Sequence, residues 1–420
     1  MITHPPGYAI LTTASVRDAV ADLPDVARRL GGPPASWKIQ EIGDGNLNLV
    51  FDLVGPAGGL IVKQSLPYIR SVGPSWPFPI ERIDFEQEAL GVQARAAPGR
   101  VPALYHYDPV RAFIVLERLS PHIILRKGLL RGIRYPELAE QLGDFLARSL
   151  FFTSDLALTT PEKKRLMARF AGNAELCATT EDVIFTAPYW PAPLNRHTSP
   201  QLDGAVAALR ADEEAMIAAA ELKLIFRTAT EAMIHGDLHT GSVMVSDSDT
   251  RVIDAEWAFF GPMGFDLGAV VGNLLLAWFS QPGHASAPDS KTSDDRTAYR
   301  AWILELIEQI WTRFETGFLD LWRTHRSELL PPTLPPDSVA AERLYRRRMA
   351  AILADTIGFA GAKMIRRLMG ISHVEDFEAI AAPGTRAQCE AAALAFAREL
   401  MVRRADFRTI GALTEEARQR

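Results

Sequence analysis

The segment His235-Gly236-Asp237-Leu238-His239-Thr240-Gly241-Ser242, followed further along by Asp254-Ala255-Glu256, holds the residue types that phosphoryl transfer needs. Such a transfer requires one carboxylate to orient and deprotonate the attacking hydroxyl. It also requires carboxylates that hold metal ions against the nucleotide phosphates. Asp237 fits the first part as a general base, and Asp254 and Glu256 fit the second as metal ligands. In an extended segment Asp254-Ala255-Glu256 points both carboxylates to one side, because strand side chains alternate. Either acid alone could equally cap a turn or pair with an arginine; the ordered set points to chemistry.

Upstream lie the residues that such a site would need for a nucleotide. The turn Gly43-Asp44-Gly45-Asn46-Leu47-Asn48 can offer backbone amides, Gly45 among them, to phosphates. It lacks the third glycine of G-x-G-x-x-G, whose place Asn48 takes, and a Gly-Asp-Gly hairpin alone is weak evidence. Order strengthens it: turn, then Lys63 on the next strand, then an acidic helix, then a strand, then the two acidic loops is a kinase order. Lys63 would meet the phosphates as a point charge, with Glu86 or Glu88 holding it from the helix. A solvated strand-end lysine and a wet helix face are the plain alternatives. Glu117, Arg118 and Leu119 would form a hinge whose backbone meets adenine. The Walker pattern G-x-x-x-x-G-K-[ST] is absent, which speaks against a P-loop route to ATP. Arg366-Arg367 follows the small-residue run Gly358-Phe359-Ala360-Gly361-Ala362, as an anion or hydroxyl clamp or as an ordinary helix face.

The elements that must position these residues divide the chain. Up to Leu119 it reads as β-rich: a strand–turn–strand over residues 41–51, a strand over 59–64 and another over 112–116. A helix over 83–97 and a Pro-, Gly- and Trp-containing loop over 67–79 complete it. From Ser120 on, helical periodicity dominates, over 135–152, 202–229, 299–326 and 338–369. Short strands over 232–235 and 251–254 each run into an acid, and 281–295 reads as a flexible loop. The expected class is α+β, a bilobal protein-kinase-like fold with a small β-rich nucleotide-binding lobe over 1–119. A large, mostly helical lobe over 120–420 would carry the catalytic loop, metal site and acceptor site.

Composition agrees with a soluble globular enzyme. The net charge of −6 argues against a general nucleic-acid binder. Two cysteines, Cys177 and Cys389, cannot build a disulfide framework, which fits a reducing cytoplasmic setting. The N-terminus lacks a signal-peptide pattern, and the apolar stretch over 269–279 is too short to span a bilayer.

Longer matches narrow the reading. They are DGNLNLVF from Asp44, VKQSLPYIRSVGPSWP from Val62, SPHIILRKGL from Ser120 and HGDLHTGS from His235. They continue with DAEWAFFGPMGFDLGAVVGNLLLAWFS from Asp254, GFAGAKMIRR from Gly358 and GISHVEDFEAI from Gly370. In these the chain resembles the S-methyl-5-thioribose kinases, relatives of the aminoglycoside and choline kinases. The resemblance implies ATP contacts at Asn48 and Lys63, adenine at residues 117–119, and a nucleotide site that also includes Ala255. Asp237 would act on the sugar's 1-hydroxyl, and Asp254 and Glu256 would bind Mg2+. Arg366, with Arg367, would hold the sugar or the transferred group, and Trp76 would sit on a loop covering the nucleotide. It further implies methionine salvage and a cytoplasmic homodimer. Ser242 stands where the wider superfamily often has a metal-binding Asn, with Glu256 as a substitute oxygen. Pro74 stands where the family has an acid.

Overall fold

The computed structural model describes residues 6–43, 47–285, 296–325, 329, 331 and 333–420. The chain forms two compact units. The first comprises Met1–Pro121, Asn173–Leu176 and Arg251–Ala258; the second comprises His122–Gly172, Cys177–Thr250 and Phe259–Arg420.

The first unit is built on a five-stranded antiparallel sheet. Its strands are β1 (Lys38–Glu41), β2 (Asn48–Val54), β3 (Gly59–Ser65), β4 (Leu104–Asp108) and β5 (Phe113–Glu117), in the order β1-β2-β3-β5-β4. Branched and aromatic residues suit a pleated, half-buried surface, and here Phe51, Leu53, Leu60, Val62, Phe113 and Val115 are buried. They share a core with Val16, Val20, Val26 and Leu30 from the helices Thr13–Ala21 and Pro24–Leu30, which the strand patterning did not anticipate. Burying such a side chain fully contributes roughly 1.5–3 kcal/mol. The expected hairpin forms, with Glu41 opposite Phe51, although residues 44–46, and with them Gly45, lie outside the described residues. In the central strand β3, Lys63 lies between Val50 and Ile114, so its side chain leaves the sheet from an interior position and is buried. The helix Arg82–Ala96 falls within a residue of its expected span.

The second unit is mostly helical. The helix expected over 202–229 is in fact two, Asp203–Arg210 and Glu213–Thr228. The break has a local cause: the Asp212 side chain accepts from the Ala215 N–H and caps a new start. The strand Ala232–Ile234 pairs with Phe259–Gly261 and leads into the loop that carries Asp237. Residues 281–284, expected to open a loop, instead continue the helix Met263–His284 in spite of Pro282; residues 286–295 lie outside the described residues.

Two long helices run through the core of this unit. Met263–His284 meets Val339–Met369 along a stripe of Gly264, Gly268 and Gly272. A Cβ on these glycines would lie 2.7 Å from Asp355 Cβ, 2.7 Å from the Thr356 carbonyl and 2.8 Å from the Ala360 carbonyl. Only hydrogen at these positions lets the backbones come this close. By length and composition Met263–His284 could cross a membrane, which the shorter apolar stretch in the sequence did not suggest. Its apolar window is wholly buried inside the protein, as in a core helix.

Candidate active site

In the first unit, Lys63 on β3 donates to Glu86 Oε1 at 2.9 Å and to Asp254 Oδ1. Glu86, buried on the helix Arg82–Ala96, is thus the acid that holds Lys63, and Glu88 is not. Burial alone would lower the lysine's pKa, but the carboxylates of Asp254, Glu86 and Glu256 overcome it and hold the ammonium charged. Burial pushes Glu86 up to about 7, against the pull of Lys63.

Asp254 and Glu256 do not project from an extended segment. Asp254 takes a left-handed conformation (φ 72°, ψ 46°), and Ala255–Trp257 forms a turn of 3-10 helix. An aspartate tolerates this backbone region better than most residues, and the bend sends the two carboxylates to different partners. Asp254 stays partly exposed, its side chain 42% accessible, beside Lys63. Glu256 is buried, its Oε2 accepting from Asn48 Nδ2 at 2.9 Å and Arg82 Nε at 3.1 Å. Arg82, itself fully buried, also donates to Asn48 Oδ1 and to the carbonyls of Leu66, Pro79 and Leu47. This brace pins the start of β2, the Trp loop and the acidic turn together. Sequence reasoning missed Arg82, which looks like any charged residue at a helix start.

The hinge residues are partly committed. The Glu117 N–H bonds the Ala103 carbonyl, and Arg118 makes a two-pronged pair with Asp52 at 2.6 and 3.0 Å. Leu119 follows in irregular chain. Trp76 is half-buried against Ile69, Phe78 and Leu176, in a loop closed by the Ile69 N–H to Trp76 carbonyl bond. Trp257 packs near Phe78, with ring centroids 6.0 Å apart. No group of three or more His, Cys, Asp or Glu among the described residues is placed to hold a metal by itself. Mg2+ bound by one or two carboxylates plus nucleotide phosphates needs no such group. A carboxylate excess around Lys63, with Asp254 partly open, fits a hard cation.

In the second unit, the turn after Ala232–Ile234 is fixed by Asp266 of the helix Met263–His284. Its carboxylate accepts from the N–H groups of His235 (2.6 Å) and Gly236 (3.0 Å), where φ is +84°. Ser242 donates to the Asp237 carbonyl at 3.0 Å, so it pins the loop from within. Asp237, half-buried, faces Lys363 Nζ at 3.2 Å, His239 Nε2 at 3.5 Å and Arg367 at 4.0 Å. Burial would raise its pKa, yet Lys363, Arg367 and Arg366 hold it well below the usual carboxylate range. His239 is kept neutral, its pKa driven down chiefly by burial. Its Nδ1 accepts from the Gly241 N–H at 2.9 Å, which leaves the proton on Nε2, toward Asp237.

The twin arginines arrive on the helix Val339–Met369, one face of which the glycine stripe clamps. Arg367 NH1 donates to the Ser372 carbonyl at 2.8 Å. The Nε atoms of Arg366 and Arg367 are buried without a hydrogen-bond partner among the described residues. Buried donors of this kind seek an acceptor, and an oxygen-rich ligand supplies one. Arg126, given no role in the sequence reading although it lies in the quoted segment from Ser120, adds a further cation, 3.2 Å from Asp376 and 3.3 Å from Asn273 Oδ1. Lys363 was missed too. A lone lysine inside the run Gly358–Ile365, otherwise apolar and small, was the signal that could have found it. Phe259 packs on Phe226 with centroids 4.9 Å apart, as part of the core.

Residues 38–304 match the model of the phosphotransferase enzyme family. The chain is 45% identical to methylthioribose kinase 1 of Oryza sativa subsp. japonica, over 96% of this chain and 94% of that protein. It is 41% identical to the methylthioribose kinase of Escherichia coli O45:K1 (strain S88 / ExPEC), over 99% and 98%. The chain belongs to the methylthioribose kinase branch of that family. Among solved structures it is similar to a glucosamine kinase, with 14% identity and a TM-score of 0.48 over 92% of this chain and 83% of that one.

Proposed function

We propose that this protein transfers the terminal phosphoryl group of ATP to the 1-hydroxyl of S-methyl-5-thio-D-ribose, giving ADP and the 1-phosphate, in methionine salvage. The observation that carries the reading is the Asp237 cluster: an ionised carboxylate set among Lys363, Arg366 and Arg367, with unpartnered buried arginine donors. Asp237 orients the hydroxyl and takes its proton as the new O–P bond forms and the bond to ADP breaks. Arg366 and Arg367 receive the sugar oxygens and the charge of the product. Lys63, held by Glu86, orients the phosphates of ATP. The amides around Gly45, with Asn48, would cover them, and residues 117–119 would receive adenine. Asp254 and Glu256 would hold Mg2+, and Ala255 between them belongs to the ATP site. When bound, the metal neutralises developing phosphate charge.

An aminoglycoside, choline or another 5-modified pentose as acceptor is the rival reading. The first two are cations and call for an acid-lined acceptor site, whereas the excess around Asp237 is positive. We further assign residues 1–119 to nucleotide binding and 120–420 to the acceptor chemistry, in a cytoplasmic homodimer that binds neither nucleic acid nor membrane. The test is kcat/KM for methylthioribose, ribose and choline under one set of conditions. An apolar pocket for the methylthio group should favour methylthioribose over ribose by about 10–200-fold. A preference for ribose or choline would overturn the substrate.

A further inference from the structure

Lys363 is a buried ammonium with a sparse set of partners. It lies in the middle of the helix Val339–Met369, 2% exposed, with Nζ 3.2 Å from Asp237 Oδ1 and 3.5 Å from the Gly236 carbonyl. On another side the ring of Phe265 lies beneath it, 4.1 Å from Nζ to the centroid. An aromatic face supports a cation without giving it a full hydrogen bond. Among the described residues, the carboxylate of Asp237 is therefore the one ionic partner within bonding distance of Lys363. The other oxygen of that carboxylate looks toward His239 and Arg367, at 3.5 and 4.0 Å, beyond firm hydrogen bonds. Of the groups around the base, Lys363 grips it most closely.

We propose that Lys363 is the positioning residue of the reaction, holding Asp237 Oδ1 so that Oδ2 is presented to the acceptor hydroxyl. The inference rests on the proposed kinase activity and adds to it a group that sets the pH range of the acceptor site. Every charged neighbour bears on that range. Asp237 and neutral His239 face Lys363 from the catalytic loop, Asp266 from the helix Met263–His284, and Arg366 and Arg367 from its own helix. The helix Pro383–Val402 meets this helix at Gly361 through Ala397, Leu400 and Met401, none of them titratable. Burial lowers the Lys363 pKa to about 8, with Asp237 opposing the shift and the two arginines adding to it. The protonated form is the one that grips, so the grip is present below that pH and lost as pH rises through it.

Lys363→Met keeps the unbranched apolar stem, one atom shorter, and removes the charge. It should lower kcat about 10- to 100-fold, the worth of one charged hydrogen bond, while KM for ATP stays put. The wild-type rate should fall as pH rises through about 8, and this alkaline limb should vanish in the variant. Wild-type kcat in Lys363→Met, with the same alkaline limb, overturns the proposal. A second measurement does not depend on the acceptor. The Lys363 side-chain NMR signal, assigned by its loss in Lys363→Met, is titrated in wild type and in Asp237→Asn. The lysine should titrate lower once the carboxylate is gone, and an unchanged titration overturns the grip. Failure of the kinase reading shows separately, as wild-type enzyme that releases no ADP on addition of methylthioribose; the NMR titration then decides the role of Lys363 alone.

Discussion

The two charged clusters are near inverses. Around Lys63, three carboxylates (Glu86, Asp254 and Glu256) face two cations, Lys63 and Arg82. Around Asp237, the cations Lys363, Arg366 and Arg367 crowd one partly exposed carboxylate, with the buried Asp266 and Asp376 behind them. The first cluster has an acidic excess and suits a cation carried with the nucleotide. The second has a basic excess and suits an oxygen-rich acceptor that becomes an anion. In the first, Asn48, Arg82 and Glu256 satisfy one another, while Glu86 Oε2 has an ion pair with Lys63 and no hydrogen bond; in the second, two arginine Nε atoms are buried without partners among the described residues.

Removing the centre of the second cluster breaks the comparison hardest. Asp237→Asn is nearly isosteric and should lower kcat by ~10²–10⁴-fold, with ATP binding by calorimetry unchanged. Near-normal turnover would take Asp237 out of the mechanism. In the first cluster, Lys63→Ala leaves Glu86 and Asp254 without their shared cation. Breaking a buried pair costs about 3–5 kcal/mol, so its denaturant midpoint should drop as well as its affinity for ATP. Asp254→Asn should keep its stability and regain part of its activity as Mg2+ is raised. An equal response of both variants to Mg2+ would erase the distinction drawn between them.

Smaller changes sharpen the contrast. Arg366→Ala or Arg367→Ala should cost about 1.5–3 kcal/mol in kcat/KM for the sugar and leave free ATP binding alone. Sugar kinetics that do not move would return both residues to a structural role. Gly268→Ala, placed on neither cluster, should lower stability by about 1–3 kcal/mol through overpacking against the Thr356 carbonyl. A melting temperature equal to wild type would show that the helix contact yields without cost.

Much of the candidate site was legible from where elements end and from the order in which they come. Asp237 and Asp254 each follow a short strand, and Lys63 and Glu86 follow the order strand, then helix. What stayed hidden depends on burial, which spacing does not encode. Arg82 and Arg126 are written like solvent-facing charges, yet Arg82 is fully enclosed and Arg126 pairs with buried Asp376. The alternation rule failed at Asp254-Ala255-Glu256 because a left-handed residue ended the extended run, and no neighbouring glycine announced it. In the fold, the α+β class and the long helices could be read from periodicity. The two N-terminal helices and the break at Asp212 could not, since short amphipathic segments and a single capping side chain carry weak signals.

The helix Met263–His284 meets both the loop that carries Asp237 and the helix that carries the cations around it. Asp266 near its start holds the backbone of His235 and Gly236, and its glycine stripe seats the helix that bears Lys363, Arg366 and Arg367. It thus serves as a common datum, as in a machine where two parts are gauged from one rail. The distance between Asp237 and the cations facing it is thus set by contacts to one helix.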